Sequence, residues 1–176
     1  MRNARLHLFF SLTAAMVLVG LAAGCASPGP RAGAPLAAEQ PVVSVERFLL
    51  AANARDFEAM ASIFGTARGP VSAQAGSPPA CAMRRVGSWI GLARRCVSWQ
   101  DIELRMSAIS EILRHDDYRM ASERSVAGRT APTTRIGVDL HRGTRRYRDV
   151  AFVAVRSGSG RWLVEEIDLE AITGAR

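Results

Sequence analysis

The chemistry of this chain centres on its three cysteines, and Cys25 has the most distinctive surroundings. It directly follows an apolar run and precedes a stretch that contains Pro28 and Gly29. A thiol at such a place could end a membrane helix, act in redox chemistry, or mark the point where the chain is cut and fixed to lipid. The proline and glycine argue against a helix that continues past Cys25. The chain also lacks a Cys-x-x-Cys redox motif.

The segment before Cys25 has the organisation of a secretory signal. Arg2 and Arg5 form a basic start, and Leu6 to Leu21 is apolar and uncharged. A membrane-spanning helix needs about 20 apolar residues, so this core is too short and ends too abruptly to prefer crossing a bilayer. The pattern predicts that residues 1–24 are a signal peptide.

The segment Leu21-Ala22-Ala23-Gly24-Cys25 resembles the lipobox of bacterial lipoproteins. In that family the chain is cut between the residues that match Gly24 and Cys25. The cysteine sulfur then carries a diacylglycerol, and the new amine is acylated with a fatty acid such as palmitate. The usual leucine three residues before the cysteine is replaced here by Ala22. The resemblance implies an envelope protein anchored through Cys25, because two or more acyl chains hold a protein stably on a membrane.

Ala26 bears on the choice of membrane. In the enterobacterial sorting rule, Asp after the cysteine keeps a lipoprotein in the inner membrane, so Ala26 favours the outer membrane facing the periplasm. Two alternatives stay open for the segment as a whole. One is a soluble secreted protein in which Cys25 is incidental, and the other is an uncleaved signal anchor.

Two cysteines remain, Cys81 and Cys96, and the predicted signal peptide directs the chain to an oxidising compartment, where cysteine pairs form disulfides. A bridge between them closes a loop of about 15 residues and stabilises the fold by about 3 kcal/mol in the chain-entropy model. The alternative is two reduced, buried cysteines. We expect the disulfide, because a free thiol in a secreted chain is exposed to oxidation.

The formal charge of +7 suggests a nucleic-acid partner at first sight. All 23 basic residues are arginine, and they are spread along the chain instead of forming one tract. An electrostatic footprint for nucleic acid needs a clustered face, so no such partner is expected. Solvated arginines are the simpler interpretation, with contact to anionic lipid headgroups as a smaller alternative. His115, Asp116, Asp117 and His141 lack the dense spacing of a metal site, and no cofactor is expected.

The composition divides the chain into a signal peptide (1–24), a flexible tether (25–40) and a single domain (41–173). The tether is rich in proline, glycine and alanine. Residues 41–65 have apolar residues at helical spacing and predict two linked helices, with Asp56 as the N-cap of the second and Gly65 as its C-terminal glycine. Ser98 to Asp101 has the form of a capping box before a third amphipathic helix.

From Tyr118 onward the apolar period changes to two, which predicts strands. Four strands are expected, with turns at Gly143 and at residues 157–160; they begin near Tyr118, Arg135, Val150 and Trp162. Helices followed by strands predict an α+β fold, with the helices packed on one face of an antiparallel sheet.

The stretches "ARDFEAMASIFG" and "GSGRWLVEEIDL", in this order of elements, resemble the cone-shaped ketosteroid-isomerase-like superfamily, which includes the nuclear transport factor type. The resemblance covers about Val42 to Ile172 and implies a curved sheet and helices that enclose a pocket. It rests on element order and on Trp162 and Val164 in the final strand. The long insert and the region between the last two cysteines depart from the family pattern.

The resemblance implies that an acid, tyrosine or histidine could line such a pocket. The titratable candidates include Tyr118, Glu166 and Asp168, and the possible pocket residues are Tyr118, Trp162 and Asp168. Alternation places Asp168 on the face of Trp162 and Val164. Asp139 and His141 are expected to point toward solvent. No residue is assigned a catalytic role, because strand-end acids are commonly only solvated and fold analogy cannot supply a mechanism.

Three functions are compatible with these patterns. The first is a tethered, non-catalytic envelope module that binds a lipid, an apolar small molecule or a partner protein, and we expect this class. The second is a small pocket enzyme of isomerase or dehydratase type. The third is a structural or assembly lipoprotein with a filled core.

Overall fold

The computed structural model describes residues 37–76, Cys81 and residues 97–174. The predicted signal peptide, the lipobox with Gly24 and Cys25, most of the tether, and Cys96 therefore lie outside the described residues. The described residues fall within one compact unit that begins at Pro35. In this part of the chain, no helix combines the length and the apolar character that crossing a membrane requires.

The two predicted N-terminal helices are present as α1 (Pro41–Ala54) and α2 (Phe57–Ile63). Helix α1 buries Phe48 and Leu49 completely, as its apolar spacing predicts. Asp56 caps α2, since its carboxylate accepts a 2.9 Å hydrogen bond from the amide of Ala59.

Gly65 stands at the predicted C′ position, since α2 ends at Ile63 and Phe64 is its C-cap, but it does not adopt the left-handed conformation predicted for a C′ glycine. It lies instead in a short hairpin of β1 (Gly65–Thr66) and β2 (Gly69–Pro70). A Cβ atom on Gly65 would lie 2.4 Å from the carbonyl oxygen of Gly69. Glycine is therefore required here by the close approach of two backbones and not by a left-handed helix end.

Helix α3 (Trp99–Ile112) begins at the predicted capping box. The hydroxyl of Ser98 accepts from the amide of Asp101 at 3.2 Å, and the Asp101 carboxylate accepts from the Ser98 amide at 3.2 Å. The helix buries Ile102 and Met106 against the rest of the core.

Four antiparallel strands follow in a meander, and the short helix α4 (Glu170–Thr173) ends the described chain. Their order in the sheet is the order of the sequence. The strands are β3 (Asp117–Ser125), β4 (Thr133–Arg142), β5 (Arg145–Arg156) and β6 (Trp162–Ile167). The α+β prediction is confirmed.

The inner face of the sheet packs on the helices. Ile136, Val138 and Leu140 of β4 are buried on this face, while Asp139 and His141 lie on the outer face, as alternation predicts. On β5, Phe152 is fully buried on the inner face. The helices and this face form one core of buried apolar side chains.

Candidate functional site

Tyr118 lies on the inner side of β3 and reaches helix α1. Its hydroxyl donates a 3.0 Å hydrogen bond to the carboxylate of Glu46. Burial raises the pKa of the Tyr118 hydroxyl, and the hydrogen bond to Glu46 and the negative charges of Glu46 and Asp117 raise it further. Tyr118 is therefore held in its neutral, hydrogen-bond-donating form.

His115 packs beside this pair and is buried. Its ring meets the ring of Tyr118 edge-on, with 5.4 Å between the ring centroids. The Nδ1 atom lies 2.8 Å from the carbonyl oxygen of Leu113. Because a carbonyl only accepts, Nδ1 carries the hydrogen in the neutral ring and Nε2 carries the lone pair.

Asn53 fixes the backbone at this point. Its side-chain amide donates to the carbonyl of His115 at 2.9 Å, and its carbonyl accepts from the His115 amide at 3.2 Å. The cluster of Glu46, His115 and Tyr118 thus joins helix α1 to strand β3 through groups that have hydrogen-bond partners. Its chemistry is that of a neutral donor beside a carboxylate and an imidazole.

Asp168 does not share a face with Val164, and this prediction is wrong. Phe152 pairs with Ile167 and Ala154 pairs with Val164, so Glu165 is an extra residue in β6. Such a bulge reverses the alternation beyond it. Ile167 then packs on the core, and Asp168 points to the outer side.

The outer side holds a groove of about 490 Å³. Asp168 is exposed at its wall, and its carboxylate accepts a 3.1 Å hydrogen bond from the amide of Ala171 at the start of α4. The groove is open to solvent and mixes charges of both signs, so it does not place an acid in an apolar environment. The described lining residues are Arg135, Ala151, Val153, Glu166, Ile167, Asp168, Leu169 and Glu170.

Trp162 lies at the opposite end of β6, where its backbone bonds to the segment that precedes α1. Its amide donates to the carbonyl of Ala38 at 2.8 Å. Its own carbonyl accepts from the hydroxyl of Ser44 at 2.7 Å, and that hydroxyl accepts from the Ala38 amide at 3.0 Å. Ala37 and Ala38 are buried, so the tether boundary at Gln40 is corrected: these residues pack with the domain.

The three pocket candidates are therefore in three different places. Tyr118 lies on the edge strand β3, whereas Trp162 and Asp168 lie at the two ends of β6 on the other edge of the sheet. The groove that Asp168 lines contains neither Tyr118 nor Trp162. The sheet does not bring them together into one site.

A second groove on the outer face centres on Asp139. Its carboxylate accepts from the guanidinium of Arg119 at 2.8 Å and from the amide of Asp149 at 3.0 Å. The hydrogen bond from Arg119, followed by that from the Asp149 amide, lowers the pKa of the Asp139 carboxyl. Asp149 has a φ of 51° and sits at a bulge in the pairing of β4 with β5, which sequence alternation does not reveal.

A smaller cleft of about 170 Å³ lies between α2, α3 and the segment after β2. Its described lining residues are mainly apolar and include no carboxylate: Phe64, Val71, Gln74, Val97, Ile102, Arg105 and Met106.

Two further kinds of site were considered in the described part of the chain, a metal site and a reactive thiol. Within residues 37–76, 81 and 97–174, no group of three His, Cys, Asp or Glu side chains is arranged to hold a metal ion. Cys81 is disulfide-bonded, which removes it as a nucleophile. Its predicted pairing with Cys96 stays a prediction, because Cys96 lies outside the described residues.

Comparison of the chain with protein-family models, with curated proteins and with solved structures found no match. The resemblances to lipoproteins and to the ketosteroid-isomerase-like superfamily stay predictions from the sequence.

Proposed function

We propose that this protein is a bacterial envelope lipoprotein that is held on the membrane through acylated Cys25 and carries a non-catalytic binding or assembly domain. One observation carries the proposal: a lipobox-like segment ends at Cys25 directly after a short apolar core with a basic start. The tether of small residues, proline and glycine then separates the lipid from the folded domain.

The filled core supports a non-catalytic domain. The space between helices and sheet is occupied by apolar side chains that are fully buried, such as Phe48, Met60 and Phe152. Among the described residues, the buried polar side chains belong to serine, threonine and histidine and not to any acid. His115 is the titratable member of this set, and its Nδ1 bonds to the backbone carbonyl of Leu113. A pocket enzyme needs a titratable group that faces an enclosed substrate site.

A second candidate is a small pocket enzyme of isomerase or dehydratase type. The observation that favours it is the neutral Tyr118 hydroxyl beside Glu46 and His115, because such a donor can stabilise a developing oxyanion. Within the cluster, however, the hydroxyl is already used to join α1 to β3. We therefore place this candidate second.

Expression of the full chain in a bacterium with a clickable fatty acid tests the anchor. The wild type is expected to carry label and to sediment with membranes, whereas Cys25→Ala is expected to lose both. The matched control, Cys81→Ala with Cys96→Ala, removes the other two cysteine thiols and is expected to keep the label. An unlabelled wild type that is released in soluble form would contradict the proposal.

Density-gradient separation of the two membranes tests the proposed location. The wild type is expected in the outer-membrane fraction, and Ala26→Asp is expected to move to the inner-membrane fraction. A wild type that already bands with the inner membrane would contradict the location while leaving the anchor intact.

A further inference from the structure

We propose that one end of the domain rests on anionic phospholipid headgroups and so sets the orientation of the protein on its membrane. This end, called the basic end, is defined by Arg68, Arg129, Arg156 and Arg161. The inference rests on the proposed lipid anchor and adds the surface that meets the bilayer.

Three connecting segments meet at the basic end. The amide of Gly158, in the turn between β5 and β6, donates to the carbonyl of Ala67 in the β1–β2 turn at 3.0 Å. The amide of Arg156 donates to the carbonyl of Pro132, just before β4, at 2.9 Å. These bonds hold the arginines of different segments on one side of the molecule.

The chain enters the domain at the same end. The guanidinium of Arg161 donates to the carbonyl of Ala37 at 3.2 Å. Ala37 is buried in a small apolar cluster with Val155 and Leu163, against which Ala67 and Ala131 also pack. The point of attachment of the tether and the basic end are therefore contiguous.

The tether is short enough to keep this end near the bilayer. Ala37 follows Cys25 by 12 positions. A flexible chain of this length has a root-mean-square span of about 20 Å and a fully extended span of about 40 Å. The end at which the tether arrives is therefore within reach of the bilayer, where electrostatic attraction acts over about 8 Å at physiological salt.

The basic end presents exposed guanidinium groups that can bind the phosphate of a headgroup. Arg68 and Arg156 are exposed, and neither forms a salt bridge with any acid in the described part of the chain. Arg129 pairs with Glu165 at 2.6 Å. Guanidinium groups bind phosphate oxygens through two parallel hydrogen bonds, so the exposed pair can contact headgroups directly.

The opposite end of the sheet also carries arginines together with acids, as Glu165 accompanies Arg129 at the basic end. Arg146 and Arg148 line a groove together with Asp117 and Asp139. These arginines lie away from the tether. Charge alone does not distinguish the two ends, but only the basic end lies beside the attachment point of the tether. Arginines of the opposite end therefore serve as the control in the test.

Hydrogen exchange of the mature acylated chain, which begins at Cys25, on nanodiscs tests the proposal. Nanodiscs that contain phosphatidylglycerol are compared with nanodiscs of phosphatidylcholine, at low and at high salt. Exchange of residues 157–160 is expected to slow by about five-fold or more on the anionic nanodiscs, since a basic residue near such a surface strengthens binding about five-fold. High salt is expected to reverse the effect.

Two double variants locate the contact. Arg68→Gln with Arg156→Gln is expected to abolish the slowing, and Arg68→Lys with Arg156→Lys is expected to keep most of it. Arg145→Gln with Arg146→Gln removes the same charge at the opposite end and is expected to keep it fully. Circular dichroism checks that all variants are folded.

The outcomes separate this proposal from the lipid anchor. Equal exchange on both kinds of nanodisc, or equal loss of slowing in both glutamine variants, would overturn the orientation while leaving the anchor intact. A chain whose Cys25 mass shows no lipid would overturn the proposed function. In that case, phosphatidylglycerol vesicles are added in excess to the unlipidated chain, and the exchange of residues 157–160 is measured again. Slower exchange would show that the basic end binds headgroups without the lipid anchor.

Discussion

The hydroxyl of Ser44 on α1 donates a 2.7 Å hydrogen bond to the backbone carbonyl of Trp162 on β6. The same oxygen atom of Ser44 accepts from the amide of Ala38 at 3.0 Å. Ser44 is fully buried. One hydroxyl thus joins the incoming chain, the first helix and the last strand.

Replacement of Ser44 by alanine is expected to destabilise the domain by about 1–3 kcal/mol, because two buried backbone groups lose their partner. Denaturation by urea measures the change in the free energy of unfolding. The control is Ser62→Ala, whose hydroxyl bonds only to the carbonyl of Ala59 in its own helix, and its effect is expected to stay within about 0.5 kcal/mol. Equal losses in the two variants would contradict this role of Ser44.

Tyr118 is expected to ionise above the ordinary tyrosine pKa of about 10. Because folding raises its pKa, Tyr118 contributes stability below its unfolded pKa of about 10 and loses it as pH rises through the folded pKa. Near-ultraviolet titration of wild type minus Tyr118→Phe isolates the Tyr118 signal. Glu46→Gln is expected to lower the titration midpoint of Tyr118 part of the way toward the ordinary tyrosine value, because the burial of the hydroxyl remains. A Tyr118 signal whose midpoint lies at or below a pH of about 10 would be inconsistent with the proposed cluster.

The stability that Asp139 contributes is expected to depend on pH in the opposite direction, so that it is lost in acid and not in base. Its pKa is lowered, so its contribution is present above the unfolded pKa of about 4 and is lost as pH falls through the folded value. Carboxyl resonances followed by nuclear magnetic resonance measure the titration. Arg119→Gln is expected to raise the pKa of Asp139, whereas Arg124→Gln on the same strand is expected to leave it unchanged. The same titration midpoint in wild type and Arg119→Gln would refute this cause.

A side chain at position 137 is expected to fit only if the side chains of Asp149 and Ser122 move away. A Cβ atom there would lie 1.8 Å from the carboxylate oxygen of Asp149 and 2.5 Å from the hydroxyl of Ser122. Gly137→Ala is therefore expected to cost about 1–3 kcal/mol. Gly158→Ala is the matched control, since nothing lies within 4 Å of its Cβ position and its φ is not in the left-handed region.

A double-mutant cycle identifies the cause at Gly137. In an Asp149→Gly background, which also relieves the positive φ at position 149, Gly137→Ala is expected to cost much less than in the wild type. An undiminished cost would show that the Asp149 carboxylate is not the obstacle.

The sequence was sufficient for the elements that local chemistry determines. The cap at Asp56, the capping box at Ser98 and the turn at Gly143 each depend on residues within a few positions, and the structure confirms them. The alternation that places Ile136 inside and Asp139 outside also follows from a regular strand.

The errors arose where pairing between distant segments decides the geometry. The extra residue Glu165 reverses the face of Asp168, and its local sign in the sequence is only the two adjacent acids Glu165 and Glu166. Gly65 looks like a helix end, but the backbone of Gly69 determines its role. Ala38 looks like tether because its small side chain gives no period, yet hydrogen bonds to Ser44 and Trp162 place it in the domain.

The lipid anchor is tested most directly by the mass of the N-terminal peptide of the mature protein, isolated from the membrane of a bacterium that expresses the full chain. We predict a peptide that begins at Cys25 and carries the added mass of a diacylglycerol on sulfur and of an acyl chain on the amine. A peptide that begins elsewhere, or a Cys25 of unmodified mass, would contradict the lipid anchor and with it the proposed function.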